Sequence, residues 1–164
     1  MILYEEILRE FNKQKVKYVI VGGIAFNILG GYRNTLDMDI ITEMSDENLS
    51  KVTQILKKYG YKTKKASHEA HLLDTDKREK LVKNKNVKAL NFYKNIKSYE
   101  QVDIILDTPV DYRMASKNHK KYKIGDISIP VISINDLIKM KISAARDKDI
   151  MDIEVLDHLR RRVK

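Results

Sequence analysis

Apolar positions along this chain switch between two periods, and the switches mark out its elements. Leu3, Ile7, Leu8 and Phe11 recur at helical spacing, which predicts a helix over residues 2–14. "KYVIVG" is an unbroken apolar run of strand length, and residues 23–29 fit a short helix ending at Gly30. "LDMDIIT" reads as a second strand. Ser45 is placed as the N-cap of a helix carrying Leu49, Val52, Leu56 and Tyr59, stopped by Gly60. "YKTKK", "VKALNFY" and "QVDIILD" read as further strands, with a charged, poorly patterned loop or helix between Ser67 and Asn86. "KYKIGDISIPVI" has the form of a hairpin turning at Gly125-Asp126. Ser133-x-x-Asp136 resembles a capping box, opening a helix that carries Leu137, Ile138, Met140, Ala144 and Ala145. A last helix is predicted from about Lys148 to the end, turning Ile150, Ile153, Leu156, Leu159 and Val163 inward. Helices and strands interleave, so the fold class is α+β with α/β-like alternation.

Composition narrows the class. The 164 residues are enough for one domain with a real core, and no Pro-, Gly- or Ser-rich linker divides them, so a single domain over 1–164 is expected. The absence of cysteine excludes disulfides and thiolate metal sites, which fits a reducing compartment. Glu5 and Glu6 interrupt the N-terminal stretch where a signal peptide needs an apolar run, and no segment approaches the ~20 apolar residues of a spanning helix. A cytoplasmic protein is expected. The net charge of +9 is concentrated in one region: residues 51–100 hold fourteen Lys/Arg against five Asp/Glu, while the remainder balances. That region is either a solvated lysine-rich surface or a face for polyanions.

The stretch "VIVGGIAFNILGGYRNTLDMDIIT" carries the chemistry. A strand running into Gly22-Gly23 and then a helix suggests a phosphate cradle of backbone N–H groups. It is neither a dinucleotide fingerprint, since position 24 is isoleucine, nor a P-loop, since no Gly-Lys-Ser/Thr follows. Side chains alternate faces along a strand, so Asp37 and Asp39 point the same way, roughly 6–7 Å apart at ~3.3 Å per residue. Met38 and Ile40 then face the core. Two adjacent carboxylates repel, so such a pair calls for a proton or a cation, and oxygen ligands beside a phosphate suit magnesium. "QVDIILD" repeats the pattern with Asp103, and Asp107 follows on the same face. Three carboxylates opposite a phosphate cradle are what two-metal phosphoryl chemistry needs. A solvent-facing strand edge would explain the first pair alone.

Gly-Gly, a spacer of thirteen residues, Asp-Met-Asp and a later apolar-flanked Asp resemble the nucleotidyltransferase fold of the DNA polymerase β superfamily. The wording "GGYRNTLDMD", with Arg33 and Thr35, is similar to the branch containing AbiEii-type toxins. So is "KMKISAARDKDIMDIEVL", with Lys141, Arg146, Lys148, Asp149 and Asp152. The resemblance implies a mixed sheet carrying an acidic site with helices packed against it. It implies a catalytic and metal-binding set of Asp37, Asp39 and Asp103, holding two magnesium ions, with manganese an acceptable substitute. Asp103 would act as base or base-orienter, with Asp107 the competing third acid. Gly22, Gly23, Arg33 and Lys141 would bind the nucleotide. On residue chemistry alone, Arg33 equally suits a salt bridge to Asp37 or Asp39, and Lys141 a place on a surface helix.

Two functions follow from the resemblance. One is a magnesium-dependent transferase moving a nucleoside monophosphate from an NTP, such as ATP, to RNA, a protein or a small molecule, as a toxin paired with an antitoxin or otherwise. The other is a non-catalytic nucleotide- or RNA-binding module of the same fold. Three retained acids favour the enzyme. The basic 51–100 region, with Tyr59, Tyr61, Phe92, Tyr93 and Tyr99, offers RNA an electrostatic surface, although strand cores use aromatics too. His68 and His71 lack the further ligands a structural zinc needs.

Overall fold

Six strands build one mixed sheet in the computed structural model, which describes residues 3–95 and 97–163. Residues 2 and 164, at the ends of the expected first and last helices, lie outside these. The strands are β1 (Tyr18–Val21), β2 (Met38–Thr42), β3 (Ala89–Tyr93), β4 (Gln101–Ile105), β5 (Lys120–Ile124) and β6 (Ile127–Val131). Their order across the sheet is β3-β4-β2-β1-β6-β5. β2 pairs with β4, and β1 with β6, in parallel; β1–β2, β3–β4 and β5–β6 are antiparallel. This is the α+β class that the interleaved apolar pattern predicts, with the mixed sheet that the resemblance implies.

Eight helices complete the described chain: α1 (Glu5–Lys13), α2 (Gly22–Ile28), α3 (Asp46–Lys58), α4 (Ala66–Leu72), α5 (Thr75–Lys85), α6 (Tyr112–Asn118), α7 (Ile134–Ala144) and α8 (Asp147–Arg162). α1 buries Ile7, Leu8 and Phe11, the stripe read from its spacing, and packs on α3 and β6. The Ser45 side chain accepts from the Asn48 N–H and Ser133 from the Asp136 N–H, so both predicted caps form. β1 is buried at all four positions, and Phe11, Phe26, Phe92, Met38, Ile40 and Leu56 anchor the core.

One expected strand does not form, and the segments without a clear apolar pattern are helical. "YKTKK" forms only an isolated bridge between Lys62 and Tyr93, because lysines 62, 64 and 65 give it no apolar face to bury. The charged stretch from Ser67 to Asn86 is two helices, α4 and α5. Asp74 caps α5 by accepting from the Lys77 N–H, and Arg78 is buried where it donates to the Met44 and Leu72 carbonyls. A buried arginine and few buried apolar residues explain the weak pattern. Residues 108–119, left unassigned from sequence, contain α6, capped by Asp111 and held by Ala115. α8 also differs: its buried positions are Asp149, Asp152 and Leu156, while Ile150 and Val163 are exposed. Among the described residues no helix is long and apolar enough to cross a membrane.

Candidate active site

Strand register assembles the site at one end of the sheet. Val21 opposes Asp39, Asp39 opposes Asp103, and Asp103 opposes Asn91. Opposed residues share a face, so these four side chains form a row across β1, β2, β4 and β3. Asp37 sits one residue before β2 and is exposed. Asp107 lies beyond the end of β4, where its N–H donates to the Lys88 carbonyl. Register therefore makes Asp103 the acid beside Asp39.

Gly22 turns the chain from β1 into α2 with a φ of +65°, in the left-handed region that favours glycine. Its missing side chain is also a matter of space: a Cβ there would stand 1.9 Å from Oδ2 of Asp39. At Gly23 a Cβ would stand 2.6 Å from the Thr35 hydroxyl. The backbone of the turn is thus pressed against the acid. Gly22→Ala is expected to displace the Asp39 carboxylate and to destabilise the fold by about 2 kcal/mol, combining αL strain with the clash. Thermal melting together with metal-dependent ATP titration checks this; a variant matching the parent in both would refute the close-approach reading.

Among the described residues no ion pair uses Asp37, Asp39 or Asp103. Burial, and then the charges of Asp103 and Asp37, push the Asp39 carboxyl up to about 7, with Arg146 and Arg33 pulling weakly the other way. Burial also raises Asp103, opposed by hydrogen bonds from Asn91 and Gln101. Gln101 Nε2 donates to both carboxylate oxygens of Asp103, at 2.7 and 2.9 Å, and Asn91 Nδ2 donates to Oδ1 at 2.7 Å. A carboxylate offers about four lone-pair sites, so these three contacts leave one open on Oδ2. Asn91 and Gln101 were not singled out from sequence. The available signal was Gln101 two residues before Asp103, hence on the same strand face.

The expected cage of three carboxylates is not closed. Among the described residues, no three Asp, Glu or His side chains gather closely enough to hold a metal ion alone. Asp37 stands at the rim instead, because it precedes the strand and is not held by the ladder. The pair nevertheless fits a hard divalent cation: it is oxygen-only, half-buried and uncompensated, and magnesium completes its shell with phosphate and water.

The two cations that the resemblance assigns to the nucleotide are both held by Asp152 of α8. Lys141 is buried in α7; its Nζ lies 2.6 Å from Asp152, 3.6 Å from Asp149 and 5.5 Å from the Phe26 ring centroid. It is not a surface lysine. Arg33 pairs with Asp152 at 2.8 Å rather than with Asp37 or Asp39. Its backbone N–H and carbonyl are clipped by the Asn27 side chain, which fixes the loop leading to Asp37. Arg146 Nε donates to Asp149 at 2.7 Å; burial opposes the charged form of Asp149, but this bond and the Arg146 charge hold its carboxyl below the usual range. A cavity of about 380 Å³ runs between the sheet face and α7, lined by Gly22, Asp39, Asp103, Lys88, Lys141 and Arg146. Acids, glycine turn and cations thus open onto one space.

Solved structures share this fold. The lincosamide antibiotic adenylyltransferase LnuA, lincomycin-bound, is 20% identical with a TM-score of 0.61 over 93% of both chains. ANT(2")-Ia in complex with adenylyl-2"-tobramycin is 14% identical with a TM-score of 0.57, over 99% of this chain and 97% of that one. An antigenic nucleotidyltransferase-like protein from Paracoccidioides brasiliensis is 16% identical with a TM-score of 0.56, over 92% of this chain and 71% of that one. At such identities the likeness is one of fold. No curated protein matches the sequence. The AbiEii-type toxin branch, to which the wording around Arg33 and Thr35 pointed, finds no support among these neighbours. The sequence pattern of the aminoglycoside-2''-adenylyltransferase family matches residues 4–156, and the chain belongs to that family of nucleotidyltransferases.

Proposed function

We propose that this chain, as a single domain over residues 1–164, transfers a nucleoside monophosphate from an NTP to a hydroxyl of a small molecule, with magnesium. The observation that carries the reading is the in-register pair Asp39–Asp103, uncompensated and pressed against the Gly22 turn. Asp37, Asp39 and the open oxygen of Asp103 would hold divalent cations, which when bound neutralise phosphate charge and acidify the attacking hydroxyl. The Gly22 and Gly23 backbone receives the β- and γ-phosphates, with Arg146 and Lys141 adding positive charge along the same cavity. The acceptor oxygen bonds to the α-phosphorus as the bond to pyrophosphate breaks, and the hydroxyl proton passes to Asp103. Gln101 and Asn91 orient that carboxylate.

A small acceptor is favoured over RNA by the neighbours, whose structures contain lincomycin and adenylylated tobramycin. The lysine-rich 51–100 segment is also partly self-compensated: Lys57 pairs with Glu69, Lys58 with Glu10, Lys77 with Asp74, Lys83 with Glu79 and Lys94 with Glu100. No observation on this chain favours an antitoxin partner over none.

The test is incubation of the protein with each labelled NTP, magnesium, and lincomycin or tobramycin, following pyrophosphate release and label transfer. Release with at least one NTP, lost on chelating the metal, is expected. NTP binding without release would favour the non-catalytic nucleotide-binding module. No NTP binding at millimolar concentration, by calorimetry with magnesium present, would sink both.

A further inference from the structure

A second cavity, of about 650 Å³, opens beside the start of β2 and the start of β4. Asp37, Gln101, Tyr93, Tyr99, Lys62 and Lys64 line it. Gln101 is the residue that holds Asp103, so the cavity reaches the proposed base through that side chain. We propose that this cavity is the acceptor site, and that it takes a hydroxylated ring compound with an apolar face and at most one positive charge, not a polycationic aminosugar. This rests on the transfer reading above and narrows it.

Geometry carries the placement. In-line displacement puts the attacking hydroxyl opposite the leaving pyrophosphate. Pyrophosphate held at Gly22 lies on the β1 side of Asp39. The sheet order β1-β2-β4-β3 therefore sends the acceptor in from the β4–β3 side, past Asp103. Tyr93 closes β3 on that side, and Gln101 opens β4 directly opposite it in the register. Tyr99, in the segment between these two strands, is 83% exposed, a large apolar face turned outward beside a catalytic cleft. Leu36, 46% exposed, also lines the cavity.

Charge carries the selectivity. Lys64 stands over the Tyr93 ring, Nζ 5.1 Å from its centroid, and Lys62 is anchored by paired backbone bonds to Tyr93. Among the described residues neither lysine takes part in an ion pair, so both charges remain on the wall. Asp37 is the cavity's single acid, and it is claimed by the proposed metal site. A ligand with several ammonium groups meets like charges there, and like-charge juxtaposition is how a site rejects a partner. A ring with hydroxyls and one apolar face can instead lie against Tyr99, as sugars and bases lie on aromatic rings.

Backbone amide shifts of the full chain, in the presence of magnesium, test this with ATP, lincomycin and tobramycin as probes. ATP is expected to move Gly22, Gly23 and Asp39; lincomycin at millimolar concentration is expected to move Lys62, Thr63 and Tyr99. Tyr99→Ala should weaken lincomycin about tenfold while leaving ATP affinity unchanged. Tobramycin should leave the parent cavity unmoved, and should gain about tenfold in affinity for it in the Lys62→Glu, Lys64→Glu double variant. Tobramycin moving these amides as strongly as lincomycin in the parent would overturn the charge selectivity. ATP filling this cavity, or lincomycin moving none of its residues while ATP moves Gly22, would overturn the acceptor assignment alone. Absence of ATP binding with the lincomycin and tobramycin pattern intact would support the cavity and remove the transfer reading.

Discussion

Asp39→Asn is expected to lower metal-dependent nucleotidyl transfer by a factor of about 10³ or more, and at the same time to raise the melting temperature of the metal-free protein. The first effect follows from the ligand lost: an amide keeps the shape of the carboxylate but not the charge that would hold magnesium. Metal assistance supplies several kcal/mol in phosphoryl chemistry, and each 1.36 kcal/mol is about tenfold in rate. The second effect follows from burial of the charge and then from repulsion. Asp39 sits in register with Asp103 and behind Asp37, half-buried, and among the described residues no cation is paired to any of them. Removing one charge from such a cluster relieves about 1–2 kcal/mol, a few degrees of melting temperature for a chain this size. Function and stability then move in opposite directions, the pattern expected where a site carries strain for its chemistry. Melting curves with and without magnesium and ATP separate the cases. The parent should gain stability from the pair of ligands and the variant should not. A variant that melts lower than the parent and still responds to magnesium would show that Asp39 is a structural residue.

Asp152→Ala is expected to be the most destabilising single change outside the apolar core, at about 3–5 kcal/mol. One oxygen of Asp152 accepts from both Lys141 at 2.6 Å and Arg33 at 2.8 Å, and all three side chains are largely withdrawn from water. Deleting the acid leaves a lysine with 5% exposure beside Phe26, with Asp149 at 3.6 Å as its remaining carboxylate among the described residues. Removing both ends of the close pair should cost less than removing one. Lys141→Met with Asp152→Leu is therefore expected to recover more than half of the lost stability, since apolar groups of similar volume replace a buried pair well. The same network joins three segments: the Arg33 loop that leads to Asp37, the middle of α7, and the first turns of α8. Chemical denaturation of the single and double variants measures it. A single variant within 1 kcal/mol of the parent would mean that the network is solvated rather than buried.

Much of this protein was decided locally, and those parts were legible. Period-two and period-3.6 apolar runs place β1, β2, β4, α1 and α3, because a strand or an amphipathic helix buries one set of side chains wherever it packs. Ser45 and Ser133 cap their helices by bonds that span three residues, and Gly125 turns the β5–β6 hairpin with a φ of +63°. The pairing of Gly22-Gly23 with Asp37 and Asp39 is local as well, since one short helix and one loop join them. Other features depended on contacts distant in sequence. That Asp103 and not Asp107 stands beside Asp39 is a matter of register between β2 and β4, which no spacing within either strand contains. Asn91 and Gln101 became part of the site only when β3 and β4 paired around that acid. Arg33 met Asp152 rather than its neighbour Asp37, and Lys141 became a core residue, because α8 folds its Asp149–Asp152 face onto α7. Apolar periodicity placed Leu156 and Ile153 inward correctly but added Ile150 and Val163 and missed the two acids, since a pattern of hydrophobicity cannot anticipate that buried charges will find partners across the fold.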